Sequence, residues 1–314
     1  MPAVVVTGGA GFIGSHTVEE LLRIPELDVI VVDNFHSGTP ENLGRSERLR
    51  VISSDIRRLE GLELGSGDLE GIVHLAAIVS LDEARLNPRL AVETNVLGTL
   101  NMLEIARRLD VERFVYASSV AVYGEPVAIP IDESHPTRPS NLYGLTKLMG
   151  EQLAMRYMDD YGIGVISLRY FNVYGPRMRG GPYSGVIHRF MSALMRGEAV
   201  RIFGDGSQTR DFVYVEDVAR ANVSALTCGA RGAFNIGTGV ETSIRELLEL
   251  LCELMGASPR EVIYEPPRMG DVRRSRASYE AAKTSLHWEP RTSLREGLRR
   301  TLEWYKGSRY LTSS

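Results

Sequence analysis

A tyrosine and a lysine stand four residues apart in "NLYGLTKLMG" (141–150), and the lysine is a rarity. Of the 36 basic residues only Lys147, Lys283 and Lys306 are lysines. With 13 tyrosines in 314 residues, chance supplies about 0.12 Tyr-x-x-x-Lys pairs, so the spacing is unusual in itself. Pro139 and Ser140 resemble a helix start, which places Tyr143 and Lys147 at i and i+4 on one helical face. A phenol with a pKa near ~10 is about one part in a thousand ionised at neutrality. A cation within ~4–6 Å lowers a pKa by about 1–3 units, so the pair predicts a general base, Tyr143, tuned by Lys147. A compact ammonium with three donors can also grip a ribose in a way that a broad guanidinium does not reproduce. The competing reading is a surface tyrosine beside a solvated lysine.

"VVVTGGAGFIGSHTVEELL" places Gly8, Gly9, Gly11 and Gly14 between an apolar run and a helical pattern. Glycines there permit a tight turn and let backbone N–H groups at a helix start approach a pyrophosphate. The motif gains weight from Asp33, which ends the next apolar run and can accept hydrogen bonds from both hydroxyls of an adenosine ribose. Its charge would repel a 2'-phosphate, which favours NAD over NADP. Alternatively the glycines only make a turn and Asp33 only caps a strand. "FVYASSVAVYG" ends another strand-like run, and Ser118 or Ser119 could share a hydrogen bond with a substrate hydroxyl and Tyr143 or simply satisfy backbone groups.

These residues need a parallel sheet to bring them together. "AVVVTG" (3–8), "DVIVVD" (28–33), "GIVHLAA" (71–77), "RFVYASS" (113–119) and "GVISLRY" (164–170) suit strands buried on both faces. Helical stretches at 11–23, 87–109 and 140–162 alternate with them, which predicts an α/β, Rossmann-like doubly wound sheet over residues 1–172. After Tyr170 the elements shorten, with helices expected near 184–196, 216–227, 242–255 and 292–306. Short strands are expected at "AVRIFG", "RDFVYV", "AFNIG" and "EVIYEP". Residues 173–314 are read as a smaller C-terminal α/β lobe that covers the carboxyl edge of the sheet, with some segments returning to the first domain.

A net charge of −4, without a basic run, argues against a nucleic-acid partner. Cys228 and Cys252 form no metal-ligand spacing with the histidines, so no metal is expected and both thiols should be reduced. No apolar stretch reaches about 18 residues, and no membrane partner is expected. A cytoplasmic protein is the simplest expectation.

The glycine loop, Asp33, a strand-end serine and Tyr143-x-x-x-Lys147 together resemble the extended short-chain dehydrogenase/reductase family, in particular its sugar-nucleotide epimerases and dehydratases. "SDIRR", "VHLAA", "NVLGTLNMLEIAR", "SLRYFNVYGPR", "GDGSQTRDFVYVEDVA", "FNIGTG" and "PPRMGDVRRSRAS" extend the likeness over almost the whole chain. The resemblance implies that Ser119, four residues before Tyr123, is the catalytic serine beside Tyr143 and Lys147. It implies an NAD site in which Gly8, Gly11, Phe12, Ile13 and Gly14 meet the pyrophosphate. Asp33, Asn34 and Ser37 would meet the adenosine ribose, and Asp55 and Ile56 the adenine. Leu75, Ala76, Ala77 and Asn95 would line the cofactor channel, with Tyr170 and Val173 on the nicotinamide side. For a nucleoside diphosphate it nominates Asn172, Arg210 and Arg268, with Asp271 nearby, and guanidinium forks suit phosphate oxygens.

Related dehydratases follow the serine with an acidic pair that eliminates water, and here those positions are Val120 and Ala121. The resemblance therefore implies 4-epimerisation of a UDP-hexose through a transient 4-keto sugar, with NAD retained between turnovers. A small residue at the position of Ser275 accompanies acceptance of N-acetylated sugars in the family, so UDP-N-acetylhexosamines are a possible second substrate class. Other readings are a different nucleotide-sugar epimerase, decarboxylase or dehydratase of the same family, or a non-catalytic NAD-binding scaffold. The family commonly forms homodimers through two long helices, for which "LAVETNVLGTLNMLEIARRL" and "YGLTKLMGEQLAMRYM" are the candidates.

Overall fold

The computed structural model describes residues 2–58, 62, 64, 69–178, 185–267 and 270–307. Its elements run β1 (Ala3–Thr7), α1 (Phe12–Leu22), β2 (Asp28–Asp33), β3 (Leu49–Ser53), β4 (Leu69–His74), α2 (Leu81–Leu86), α3 (Pro88–Val92), α4 (Gly98–Arg108), β5 (Arg113–Ser119), α5 (Leu142–Tyr161) and β6 (Gly164–Tyr170). There follow β7 (Asn172–Tyr174), α6 (Val186–Arg196), β8 (Val200–Phe203), β9 (Thr209–Arg210), β10 (Phe212–Tyr214), α7 (Val215–Thr227), β11 (Gly232–Ile236), β12 (Thr242–Ser243), α8 (Ile244–Met255), β13 (Val262–Glu265), α9 (Glu280–Leu286) and α10 (Leu294–Gly307).

The β-branched runs that cannot pack as one-sided strands lie inside a seven-stranded sheet of order β11-β6-β5-β4-β1-β2-β3. Every neighbouring pair in it is parallel. Helices cover both faces: Val18, Leu21, Val218, Ala221 and Ala225 pack on one side, and Met102, Leu103, Ala106 and Ala154 on the other. Strand order reverses between β1 and β4, so the loops after these two strands open a crevice at the carboxyl edge, where such sheets bind ligands.

In the second half of the chain α6, α8 and α10 build a third core with Phe190, Leu194, Leu247, Leu251, Leu298 and Leu302. Segments after residue 172 also pack with the first half. The seventh strand of the main sheet, β11, comes from beyond that point and pairs with β6 from Gly232 opposite Ile166 to Ile236 opposite Tyr170. Helix α7 and the indole of Trp288 also join the core beneath the main sheet. Among the described residues no helix is long and apolar enough to cross a membrane.

The helical stretch expected at 87–109 is continuous but changes pitch: a π turn, Glu93–Leu97, joins α3 to α4. In it Asn95 points inward and holds both backbone groups of Ile78.

Candidate active site

The first βα turn leaves little room. Gly8 has φ 68°, a conformation that favours glycine, and a Cβ there would lie 2.8 Å from the Ala76 nitrogen. A Cβ on Gly14 would lie 2.1 Å from the Gly8 carbonyl oxygen. Gly11, the N-cap of α1, has no side chain with which to satisfy the first-turn N–H groups, and no acidic side chain occupies that turn. The helix start therefore presents free donors to an anion.

Asp33 fixes the chain on either side of the cleft. Its carboxylate accepts the Ala10 N–H at 3.0 Å and the Phe35 N–H at 2.8 Å, which fixes the loop after β2, while its residue lines the cleft. Farther along, the Arg57 guanidinium, at 2.6 Å, holds the Asp55 carboxyl well below the usual carboxylate range. Asn34 donates to the same carboxylate at 3.1 Å. Arg57 lines the same cleft with its guanidinium paired to Asp55.

Helix α5 starts at Asn141, whose side chain accepts the Gly144 N–H at 2.9 Å, one residue later than expected. Tyr143 and Lys147 consequently share a face directed at the crevice. Ser119, at the end of β5, accepts the Ala121 N–H at 3.2 Å, so its own proton is free to serve Tyr143. Ser118 is buried, and its hydroxyl has no partner among the described residues. Geometry thus distinguishes two serines that the residues alone leave open, although the resemblance already names Ser119.

The electrostatics differ from the expectation. Burial pushes the Tyr143 hydroxyl up, and the influence opposing it is the Ser119 hydrogen bond rather than Lys147. Burial also draws Lys147 down to about 7, against the attraction of Glu151. Its Nζ lies over the Tyr116 ring, 4.8 Å from the centroid. A low dielectric disfavours charge on both members of the pair, so the protein alone does not ionise Tyr143.

One cavity of about 900 Å³ joins these features. Its walls include Gly8, Gly11, Phe12, Ile13, Gly14, Asp33, Asn34, Ser37, Asp55, Ile56, Leu75, Ala76 and Ala77, then Ser119, Tyr143, Lys147, Tyr170, Asn172, Val173, Arg210, Asp271 and Ser275. Asn95 is the described exception. It stands behind the wall, 1% exposed, where its amide braces Ile78 and donates to Thr146 at 2.9 Å. Arg268 lies outside the described residues. Arg210 forms an ion pair with Asp271, so its fork is shared with a carboxylate at the position expected to receive a diphosphate.

Sequence reasoning missed Arg177, a cavity-lining residue with φ 66° that pairs with Glu19 of α1. Only the preceding "GP" marks the turn that carries it. It also missed Tyr116 and Glu151, although Glu151 repeats the i+4 spacing from Lys147. Among the described residues, four buried polar atoms of the cavity lining have no protein partner: Ser118 Oγ, Asn172 Oδ1, Arg177 Nη1 and Ser275 Oγ.

The family profile described as "NAD dependent epimerase/dehydratase family" matches residues 4–237. The chain belongs to that family. A UDP-glucose 4-epimerase of Mycolicibacterium smegmatis is 40% identical over 309 residues, which cover 96% of this chain and 98% of the relative. The solved UDP-glucose 4-epimerase of Thermotoga maritima, in a structure with UDP-glucose, is 40% identical with a TM-score of 0.90, covering 97% of this chain and 99% of that one. The Thermus thermophilus UDP-glucose 4-epimerase, in complex with NAD, is 38% identical with a TM-score of 0.90, covering 98% and 99%. The uncapped α1 start, the two glycines without room for a Cβ, and Asp33 at the end of β2 fit the dinucleotide that gives this epimerase/dehydratase family its name.

Proposed function

We propose that this chain is an NAD-dependent 4-epimerase of UDP-hexoses, interconverting UDP-galactose and UDP-glucose. The observation that carries the reading is the Ser119–Tyr143 hydroxyl pair on one cavity wall with Lys147, followed by Val120 and Ala121 rather than an acid and a base. Those side chains can move one proton at a carbinol but cannot also expel water.

The glycine loop and α1 would hold the pyrophosphate, with Asp33 and Asn34 at the adenosine ribose. When bound, the cofactor supplies a reversible hydride sink for the sugar's C4. Tyr143 takes the proton from the 4-hydroxyl and returns it after the keto sugar has turned over. Ser119 donates to the oxygen on which charge develops, and the Lys147 ammonium stabilises the tyrosinate as it forms. Arg210 would exchange part of its contact with Asp271 for the diphosphate. That anchoring supplies binding energy remote from the carbon that must be presented by either face. Ser275 is buried and small, so the reading extends to UDP-N-acetylhexosamines. We also read the two unpaired thiols as those of a cytoplasmic protein.

Proton NMR of UDP-galactose or UDP-N-acetylgalactosamine incubated with the purified protein, without added NAD, tests this directly. The expected outcome is conversion to the gluco epimer, reduced about 10²–10⁴-fold in Tyr143→Phe, with protein-bound NAD retained in the variant. Absence of conversion with bound NAD present would replace this reading with another nucleotide-sugar reaction, and undiminished conversion in Tyr143→Phe would remove the tyrosine from its role.

A further inference from the structure

The loops after β2 and β4 meet across the cleft through a side-chain contact for which the proposed reaction gives no task. Strand order places β1 between β4 and β2, so the glycine loop after β1 lies between the loops that follow its two neighbours. His36, after β2, donates from Nε2 to a carboxylate oxygen of Glu83 in α2, after β4, at 2.8 Å. Both residues line the cavity. The contact therefore spans the crevice beyond residues 8–14, the stretch suited to the pyrophosphate of a dinucleotide.

The two ends of this bridge are held differently. His36 stands on a braced wall: its own N–H donates to the Asn34 side chain at 3.0 Å, and the Asn34 amide donates to Asp55 at 3.1 Å. Asp55 is in turn paired with Arg57 at 2.6 Å, so the loops after β2 and β3 are tied together. Glu83 stands on a looser wall. Helix α2 has six residues, of which only Ala84 is buried, in a small cluster with Ile78 and Ala91. Its first turn is capped by Ser80, which accepts the Glu83 N–H at 3.1 Å. Leu81 and Leu86 of the same helix are exposed, so little apolar burial fixes it. Of the two walls, α2 is the one that can swing.

We propose that His36 and Glu83 form a latch across the dinucleotide cleft, which parts when α2 moves aside for NAD to enter or leave. The inference rests on the family's cofactor and not on the sugar that the chain turns over. The bridge joins two protein groups and takes no atom from the ligand, so it raises the barrier to passage in both directions without adding to the affinity. A residue that gripped the dinucleotide would instead slow its exit alone. The contact is partly in water, with His36 50% and Glu83 22% exposed by side chain, which sets its strength at that of an exposed pair.

The purified protein with its bound NAD supplies the test. Exit is read by chasing ¹⁴C-labelled NAD from the loaded protein with excess unlabelled NAD, and Kd by equilibrium dialysis against the labelled cofactor. Glu83→Ala and His36→Ala should each speed exit about two- to fivefold with Kd unchanged. The double variant should be no faster than the faster single one, because either substitution alone opens the latch. Unchanged exit in both single variants overturns the proposal. So does a Kd that weakens in step with exit, which would make these residues cofactor ligands, and so does a double variant in which the two effects multiply, which would make them independent. No sugar enters the measurement, so a failed epimerase assay leaves the latch standing, and a failed latch leaves the epimerase reading standing.

Discussion

Gly14 leaves the cofactor loop almost no tolerance, since even one added carbon would meet the Gly8 carbonyl oxygen. Overpacking of this kind costs about 1–3 kcal/mol, and here the backbone that must move is the backbone that binds phosphate. Gly14→Ala should therefore purify with at least tenfold less NAD, measured by absorbance ratio and by enzymatic assay of an acid extract, while its far-ultraviolet circular dichroism remains that of an α/β protein. This loop was fully legible in the sequence because steric need and residue type coincide there. Tyr143 and Lys147 were legible through their spacing, but the charge state of the pair was not, because it depends on burial by β5 and β6. The residues by themselves left Ser118 and Ser119 open and the family likeness named Ser119, while the hydroxyl that the Ala121 N–H engages was not legible. Asn95 lay in a correctly placed helix, yet the π turn directs its amide to Ile78 behind the cavity wall.

At the level of elements, three parts of the first domain meet at one histidine. Thr99 of α4 gives its proton to the Asn95 carbonyl at 2.7 Å, so it must accept from His74 Nε2 at 3.0 Å. His74 Nδ1 is then an acceptor for the Thr7 hydroxyl of β1 at 2.7 Å. This arrangement requires a neutral ring, and burial, with the Lys147 charge nearby, lowers its pKa to about 3. The unfolded chain takes up a proton near pH 6.5 that the folded one refuses until about 3. Stability from this site is complete above pH 6.5 and declines as pH falls toward 3, by about 1.4 kcal/mol per pH unit in between. Denaturant titrations from pH 7 to 4 should show that slope, and His74→Gln should lose it. The strands that frame this junction were readable as apolar runs. Strand β3 was not: it is a sheet edge, with Arg50, Val51 and Ser53 exposed, so it never forms such a run. Helix α9 escaped notice because seven residues with two buried positions give too little periodicity.

For the whole molecule, the outer face of α5 and the turn before α4 expose Leu97, Leu145 and Met149. Apolar side chains grouped on paired helices favour a second copy of the chain packed as a four-helix bundle, and we infer a homodimer. Light scattering after size exclusion should give twice the chain mass, and Leu97→Asp with Met149→Asp should give the monomer with NAD still bound. A wild-type protein of single-chain mass would refute the dimer. Segments returning from the second half to the first were expected, but nothing local in "GAFNI" says that it is the one that will lie beside β6. That crossing has a consequence for synthesis on the ribosome. Strand β6 ends at Tyr170, and its partner begins only at Gly232, 62 residues later. Translation at about 5–20 residues per second leaves this wholly buried strand without its outer neighbour for roughly 3–12 s. During that interval the nascent chain carries an open, apolar sheet edge, the kind of surface that recruits chaperones or other nascent chains before the last strand closes it.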